Sequence, residues 1–147
     1  MTAGTTVELD GRLAVGVDAI TVRDSYEYQT TGGGTGTRAA ADGSAFVFGT
    51  VSVVNLTDSA LSAPSRSESA GATADGLYPV YFGRESWDAI RHDGRPYPIR
   101  DRLEPGESVE GWVVLTVGAS TTDAVGVAWN RDVVTSPPEA LWRPAST

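Results

Sequence analysis

Alternation of apolar and polar side chains at every second residue is the feature that most restricts how this chain can fold. From Leu13 the apolar residues alternate as far as Ala19, and they then continue in the opposite phase at Ile20 and Val22. A side-chain period of two predicts a β-strand rather than a helix. A one-residue change of phase inside an extended run predicts a β-bulge.

Further strand-like segments follow along the chain. Ala45 to Leu56 is apolar at nearly every position, which predicts a central strand flanked on both edges. Ser108 to Val117 alternates and places apolar residues on both of its faces. On one face are Val109, Val113, Leu115 and Val117, and on the other are Trp112 and Val114. Asp123 to Trp129 is predicted to be another strand, with small residues on one face that favour a close neighbour.

Turn residues separate these segments at roughly ten-residue intervals, which is typical of a sandwich or barrel. The clearest turns are predicted at 55–59, 93–94 and 103–107, while the glycine-rich stretch Thr30 to Gly43 is predicted to be a flexible loop. Leu61 to Ala74 is predicted to hold an edge strand, and Pro79 places its own short strand at an edge. We therefore expect an all-β fold, an immunoglobulin-like antiparallel β-sandwich of about seven strands, with a small barrel as the alternative.

The length of 147 residues predicts one domain over residues 1–147, large enough to bury a core without disulfides. Residues 1–6 are expected to be a flexible N-terminus, and residues 132–147 an extended C-terminal segment.

Composition excludes several kinds of chemistry. The chain has no cysteine, its eleven basic residues are all arginine, and His92 is the only histidine. A cysteine nucleophile, a catalytic lysine and a three-histidine zinc site are therefore impossible within one chain. Nineteen acidic residues give a net charge of −8, which argues against nucleic acid as a partner. We expect no enzymatic activity and no cofactor.

The same composition indicates a habitat. An acidic, lysine-free surface suits a salt-rich milieu, in which self-repulsion is screened, although a GC-rich genome alone would also explain the missing lysines. No stretch approaches the ~20 apolar residues of a membrane span, and no signal peptide is visible. The protein is thus expected to be cytoplasmic, or else a mature exported chain.

Few residues qualify as site candidates. His92 lies at a predicted hairpin tip and is expected to be an exposed turn residue. Asn55 begins an Asn-Leu-Thr sequon, so it is either a glycosylation acceptor or, as we favour, a turn residue that caps a strand end. Loop carboxylates could supply oxygen ligands to calcium, but their spacing matches no calcium motif. Those carboxylates are Asp88, Asp93, Asp101 and Glu104.

Leu141 and Trp142 are candidate interaction residues, because they follow Pro137-Pro138, which cannot donate ladder hydrogen bonds. They are expected either to cover their own sandwich or to insert into a neighbouring copy, and we favour the first.

Four segments in order give the chain a family resemblance. They are VGVDAITV (Val15 to Val22), FVFGTVSVVNLTD (Phe46 to Asp58), DGRPY (Asp93 to Tyr97) and LEPGESVEGWVVLTV (Leu103 to Val117). The chain resembles the immunoglobulin-like domains of unknown function in prokaryotic exported lipoproteins, which are related to a mycobacterial secreted antigen. The lipobox cysteine of that family is absent. The resemblance implies an immunoglobulin-like fold and no agreed active site.

Three functions remain open. The leading hypothesis is a non-catalytic binding module, extracellular or at the cell envelope of a halophile, that contacts a protein or an envelope component. The alternatives are a structural subunit that assembles through edge strands or its tail, and a small carboxylate-based hydrolase.

Overall fold

Twelve β-strands and no helix make up the part of the chain that the computed structural model describes, which is residues 2–29, 32–64, 69–73, 79–81, 97, 102–118, 124–129 and 140–144. The strands are β1 (Thr6–Leu9), β2 (Leu13–Arg23), β3 (Ser25–Gln29), β4 (Thr35–Ala39), β5 (Ala45–Asn55), β6 (Leu61–Ser62), β7 (Ser69–Thr73), β8 (Pro79–Tyr81), β9 (Arg102–Leu103), β10 (Ser108–Val117), β11 (Ala124–Trp129) and β12 (Ala140–Trp142). Accordingly, none of these residues form a helix that could cross a membrane.

Eight of these strands form two four-stranded antiparallel sheets. Sheet 1 has the order β1-β2-β5-β10, and sheet 2 has the order β12-β11-β7-β8. In an immunoglobulin-like Greek key, strands B and E pair in one sheet while C and F pair in the other. Here β5 pairs with β10 and β7 pairs with β11, so β2, β5, β7, β10, β11 and β12 take positions A, B, C, E, F and G. The predicted immunoglobulin-like β-sandwich is confirmed. Beyond these six strands, sheet 1 contains β1 and sheet 2 contains β8, the predicted short strand with Pro79.

The main core lies between the two sheets. It takes alternate residues of β5 and β10 from sheet 1, such as Val51 and Val113, and it takes Val127, Trp129 and Trp142 from sheet 2. The predicted division of β10 into two faces is confirmed, because Val109, Val113, Leu115 and Val117 lie in this core while Trp112 and Val114 pack on the opposite face. β5 is the central strand expected, paired with β2 on one edge and β10 on the other.

The predicted bulge is present in β2. The pairing register with β5 shifts between Asp18 and Thr21, and Ala19 has a φ of 51°, in the left-handed region that a side chain disfavours. Because of this extra residue, Val17 and Ile20 both face the main core although they lie three positions apart.

Several turns and edges also agree with the sequence. Gly106 has a φ of 75°, and the Glu107 amide donates to the Glu104 carbonyl at 3.0 Å, which closes the turn predicted before β10. Pro79 begins β8, which is the terminal strand of sheet 2. The predicted hairpin at 93–94 lies outside the described residues.

The expectation of a flexible loop over the glycine-rich stretch was wrong, because this stretch contains β4, which pairs with β3 from Ser25↔Ala39 to Gln29↔Thr35 as a hairpin. The edge strand expected in Leu61 to Ala74 is present as β6, which pairs only with β9. The same segment also contains β7, which lies inside sheet 2 between β11 and β8. Neither β4 nor β7 contains a large apolar residue, so their strand character depends on pairing rather than on a visible pattern.

Candidate functional site

Asn55 is a buried structural residue at the end of β5. Its side chain is 1% exposed, and its Nδ2 donates to the carbonyls of Ser59 at 2.9 Å and Leu103 at 3.0 Å. Its Oδ1 accepts hydrogen bonds from both the amide and the hydroxyl of Thr57. The capping interpretation therefore fits the geometry. Glycosylation of Asn55 does not, because a glycan on Nδ2 would replace one of these donors and would need space at a buried atom.

Replacement of Asn55 tests this network. Asn55→Ala leaves the Leu103 carbonyl and the Thr57 amide without their partner, and each lost buried bond costs about 1–3 kcal/mol. The Ser59 carbonyl loses one of its two donors and keeps the Thr57 hydroxyl at 2.7 Å. We expect a loss of about 3 kcal/mol in the free energy of unfolding, measured by urea denaturation. Thr57→Val is the milder comparison, because it keeps the Asn55 contacts to Ser59 and Leu103. Equal stability of Asn55→Ala and the parent chain would contradict the assigned role.

Trp142 belongs to the main core rather than to an exposed tail. Its side chain is fully buried, and its backbone pairs with Val127 of β11. Its indole Nε1 donates a hydrogen bond to the Thr5 carbonyl at 2.8 Å. Leu141 is only half-buried and pairs with Ala128. The segment is thus docked in its own sandwich, as favoured from the sequence, and it does so as the edge strand of sheet 2.

The N-terminal residues complete this edge. The Ala3 amide donates to the Arg143 carbonyl at 2.7 Å, and the Gly4 amide donates to the Val17 carbonyl at 2.8 Å. Residues 2–5, which belong to the N-terminus 1–6 expected to be flexible, link β12 of sheet 2 to β2 of sheet 1 through these hydrogen bonds. We call this junction of residues 2–5 with 140–143 the terminal seam.

The remaining sequence candidates form no site in the described structure. His92, Asp88, Asp93 and Asp101 lie outside the described residues. Glu104 is exposed and lies 3.0 Å from Arg102 Nε. Among the residues with described placement, no three His, Asp or Glu side chains converge as they would around a metal ion.

The outer face of sheet 1, which points away from sheet 2, is apolar in one half. Phe46, Phe48, Trp112 and Val114 pack there beneath Tyr26 of the β3–β4 hairpin. The Tyr26 ring meets Phe46 edge-on at 4.8 Å and Phe48 at 5.7 Å between centroids. Such edge-to-face contacts contribute about 0.5–1.5 kcal/mol each beyond area burial, so Tyr26 holds the hairpin over this half.

The other half of the outer face is polar and open. It forms a shallow groove of about 380 Å³, which we call the polar groove. Its polar side chains come from four strands or their junctions, and its floor is Gly16. The lining residues are Gly4, Thr6, Gly16, Val17, Asp18, Ala19, Thr50, Ser52 and Glu110.

Strand register explains how these residues meet. Gly16 of β2 pairs with Thr6 of β1 and with Ser52 of β5, and Ser52 pairs in turn with Glu110 of β10. Asp18 pairs with Thr50 in the next row. A Cβ at Gly16 would lie 3.0 Å from Thr6 Oγ1 and 3.2 Å from Ser52 Oγ. A larger side chain at this position would therefore fill the groove between Thr6 and Ser52, and glycine keeps it open.

The bulge in β2 positions one wall of the groove. The Ala19 amide donates to Asp18 Oδ1 at 2.7 Å, which fixes one carboxylate oxygen. Bulges are frequent beside binding sites because they redirect a side chain. Gly16, Ser52 and Glu110 lie on three different strands, and only the register reveals that they are side by side, so the sequence alone missed this groove.

The fold and the groove define a β-sandwich protein with an open polar surface on one sheet, and one solved structure shares this fold at a TM-score above 0.5. The structure is similar to a conserved hypothetical protein from Bacillus anthracis, with a TM-score of 0.61 and 16% identity over 93% of this chain and 92% of that one. It also matches an uncharacterized beta-sandwich protein from Clostridium difficile, with a TM-score of 0.49 and 10% identity over 99% and 92% of the two chains. No family model and no curated protein matches the sequence.

Proposed function

We propose that this protein is a non-catalytic binding module that works outside the cell or at the cell envelope of a halophilic prokaryote. The polar groove is the observation that carries this proposal. The sandwich covers the inner face of sheet 1 with sheet 2 and half of its outer face with the β3–β4 hairpin. The half that stays uncovered presents three hydroxyls and two carboxylates on rigid strands.

Rigid strands are a favourable support for recognition. Side chains on paired strands keep their spacing better than side chains on loops, so less conformational entropy is lost when a ligand binds. The family resemblance to exported immunoglobulin-like domains supports an external location, and the net charge of −8 without lysine supports life at high salt.

Assembly by exchange of the C-terminal tail is the less favoured function. Trp142 fills a site in its own sandwich and bonds to Thr5 of the same chain. A monomer in size-exclusion chromatography at molar KCl would agree with the binding module, whereas a stable dimer that dissociates on loss of the tail would support assembly.

Co-sedimentation with envelopes of the source organism tests the proposed function. We expect the purified protein to pellet with isolated envelopes. We expect Thr50→Val with Ser52→Ala to reduce this binding, because both hydroxyls line the groove. Thr37→Val is the matched control on the hairpin, outside the groove, and should bind as the parent does. A protein that stays in the supernatant, or equal loss in the control, would contradict the proposal.

Stability should rise with salt. Screening weakens the self-repulsion of a chain with net charge −8, and each kcal/mol gained raises Tm by roughly 2–4 °C for a domain of this size. We expect Tm to increase by several degrees from about 0.1 M to about 3 M KCl, where the Debye length falls from ~10 Å to below ~3 Å. A flat or falling Tm would contradict the proposed adaptation to high salt.

A further inference from the structure

We infer that the polar groove binds a basic, extended segment of a partner protein, with Asp18 and Glu110 as the two anionic contacts. This inference rests on the proposed function and names the partner chemistry of the same surface. Both carboxylates line the groove, and no arginine is among its lining residues. A cationic ligand is therefore complementary to it, whereas an anionic one would be repelled.

Four polar side chains of the groove have no partner within the described structure. Within the described part of the chain, the side chains of Thr6, Thr50, Ser52 and Glu110 form no hydrogen bond or ion pair. Thr50 and Ser52 are only partly exposed, so their hydroxyls have restricted access to water. Hydroxyls can both donate and accept hydrogen bonds. The hydroxyls that line the groove can therefore bond to both the amides and the carbonyls of an extended peptide backbone.

The backbone orients the Asp18 carboxylate in a way that favours binding of a cation. Its Oδ1 accepts the Ala19 amide at 2.7 Å, while the side chain itself is exposed. A carboxylate oriented by its own backbone loses little freedom when it binds an ammonium or guanidinium group. Charge-assisted hydrogen bonds of this kind are roughly twice as strong as neutral ones.

The spacing of the two carboxylates indicates a peptide rather than a single ion. Asp18 is on β2 and Glu110 is on β10, and β5 lies between those strands. Two strand spacings and one two-residue step separate their Cα atoms by about 12 Å. Among the described residues no third acidic or histidine side chain joins them as a metal site would require. Alternate side chains of an extended peptide start about 6.8 Å apart, and two long arginine or lysine side chains can reach both carboxylates.

A neutral glycan fits the groove less well. Shallow sugar sites depend on an aromatic face for contact, and the residues that line this groove include no aromatic side chain. Trp112 pairs with Thr50 in the adjacent strand, but it is 2% exposed beneath the hairpin region. Charge-assisted contacts at hydrogen-bond distance also act within the ~3 Å Debye length of molar salt, so a basic ligand remains compatible with a saline habitat.

Calorimetric titration with a tetra-arginine peptide tests the inference, at about 0.5 M KCl to limit long-range attraction. The test variant combines Asp18→Asn with Glu110→Gln. The carboxamide oxygen introduced at position 18 can still accept a hydrogen bond from the Ala19 amide. The matched control is Glu27→Gln with Asp42→Asn, which removes the same charge from exposed residues of the β3–β4 region. We expect the test variant to bind about tenfold more weakly or not at all, and the control to bind as the parent does.

Several results would overturn the inference. Equal weakening in both variants would mean that net charge alone attracts the peptide. Absence of peptide binding by the parent, or binding of a neutral oligosaccharide in its place, would also reject a basic partner. If the parent still sediments with envelopes in those cases, the binding module stands and only the partner chemistry fails.

Discussion

Deletion of residues 139–147 should unfold the protein or lower its free energy of unfolding by about 5 kcal/mol. The deletion removes β12 and the fully buried Trp142, and loss of a core Trp alone costs about 3–5 kcal/mol. It also leaves the Thr5 carbonyl and the Ala3 amide without their partners, at about 1 kcal/mol or more each. Urea denaturation followed by tryptophan fluorescence measures the effect.

A shorter truncation serves as the control for that deletion. A chain that ends at Pro144 keeps β12 and the terminal seam, and we expect parental stability. If the long deletion changes neither Tm nor oligomeric state, the C-terminal segment is not part of the core. If it instead dissociates a dimer with little loss of monomer stability, the strand docks on a second copy.

Gly126→Ala should cost about 3 kcal/mol or more, because overpacked positions in well-ordered structure are poorly tolerated. A Cβ at Gly126 would overlap the Trp142 carbonyl oxygen and lie 2.9 Å from the carbonyl carbon. Gly126 also has a φ of 157° beside the register shift of β11. Backbone atoms cannot rotate away as a side chain can, so β12 would have to move and the core contacts of Trp142 would weaken.

Gly106→Ala is the matched comparison for Gly126→Ala. Gly106 has a φ of 75°, and a Cβ there would meet nothing within 4 Å. Its replacement should cost only the strain of the left-handed region, about 1–2 kcal/mol. Equal losses at the two glycines would show that steric contact with β12 is not what Gly126 avoids.

The sequence predicts best those strands in which a buried face requires an apolar residue at every second position. In β10, Val113 and Trp112 were assigned to opposite faces, and the structure places them in the two separate clusters. The change of phase at Ala19 likewise located the bulge in β2. Both features follow from side-chain direction within one strand, which requires no knowledge of its partners.

Other elements depend on contacts that the local pattern does not reveal. β4 consists of TGTRA and is held by pairing with β3, whose Tyr26 anchors the hairpin. The hairpin between β1 and β2 does have a local sequence motif, the dipeptide Asp10-Gly11, which favours a tight hairpin turn. Both residues have the positive φ that such a turn requires.

The polar groove belongs to the features that only the fold can supply. Gly16, Ser52 and Glu110 are separated by dozens of residues and become neighbours through strand register. A one-residue slip in either pairing would turn one of these side chains to the inner face. Their proximity therefore could not be predicted before the sheet order was known.

Mapping by NMR tests most directly whether the polar groove is the ligand-binding surface. On titration with tetra-arginine, we expect the amide signals of Gly16, Asp18, Ser52 and Glu110 to shift together with one saturating dependence. The amide signal of Thr37, on the β3–β4 hairpin, should not shift. Shifts confined to residues outside the groove, or spread evenly over exposed acidic residues, would contradict this account.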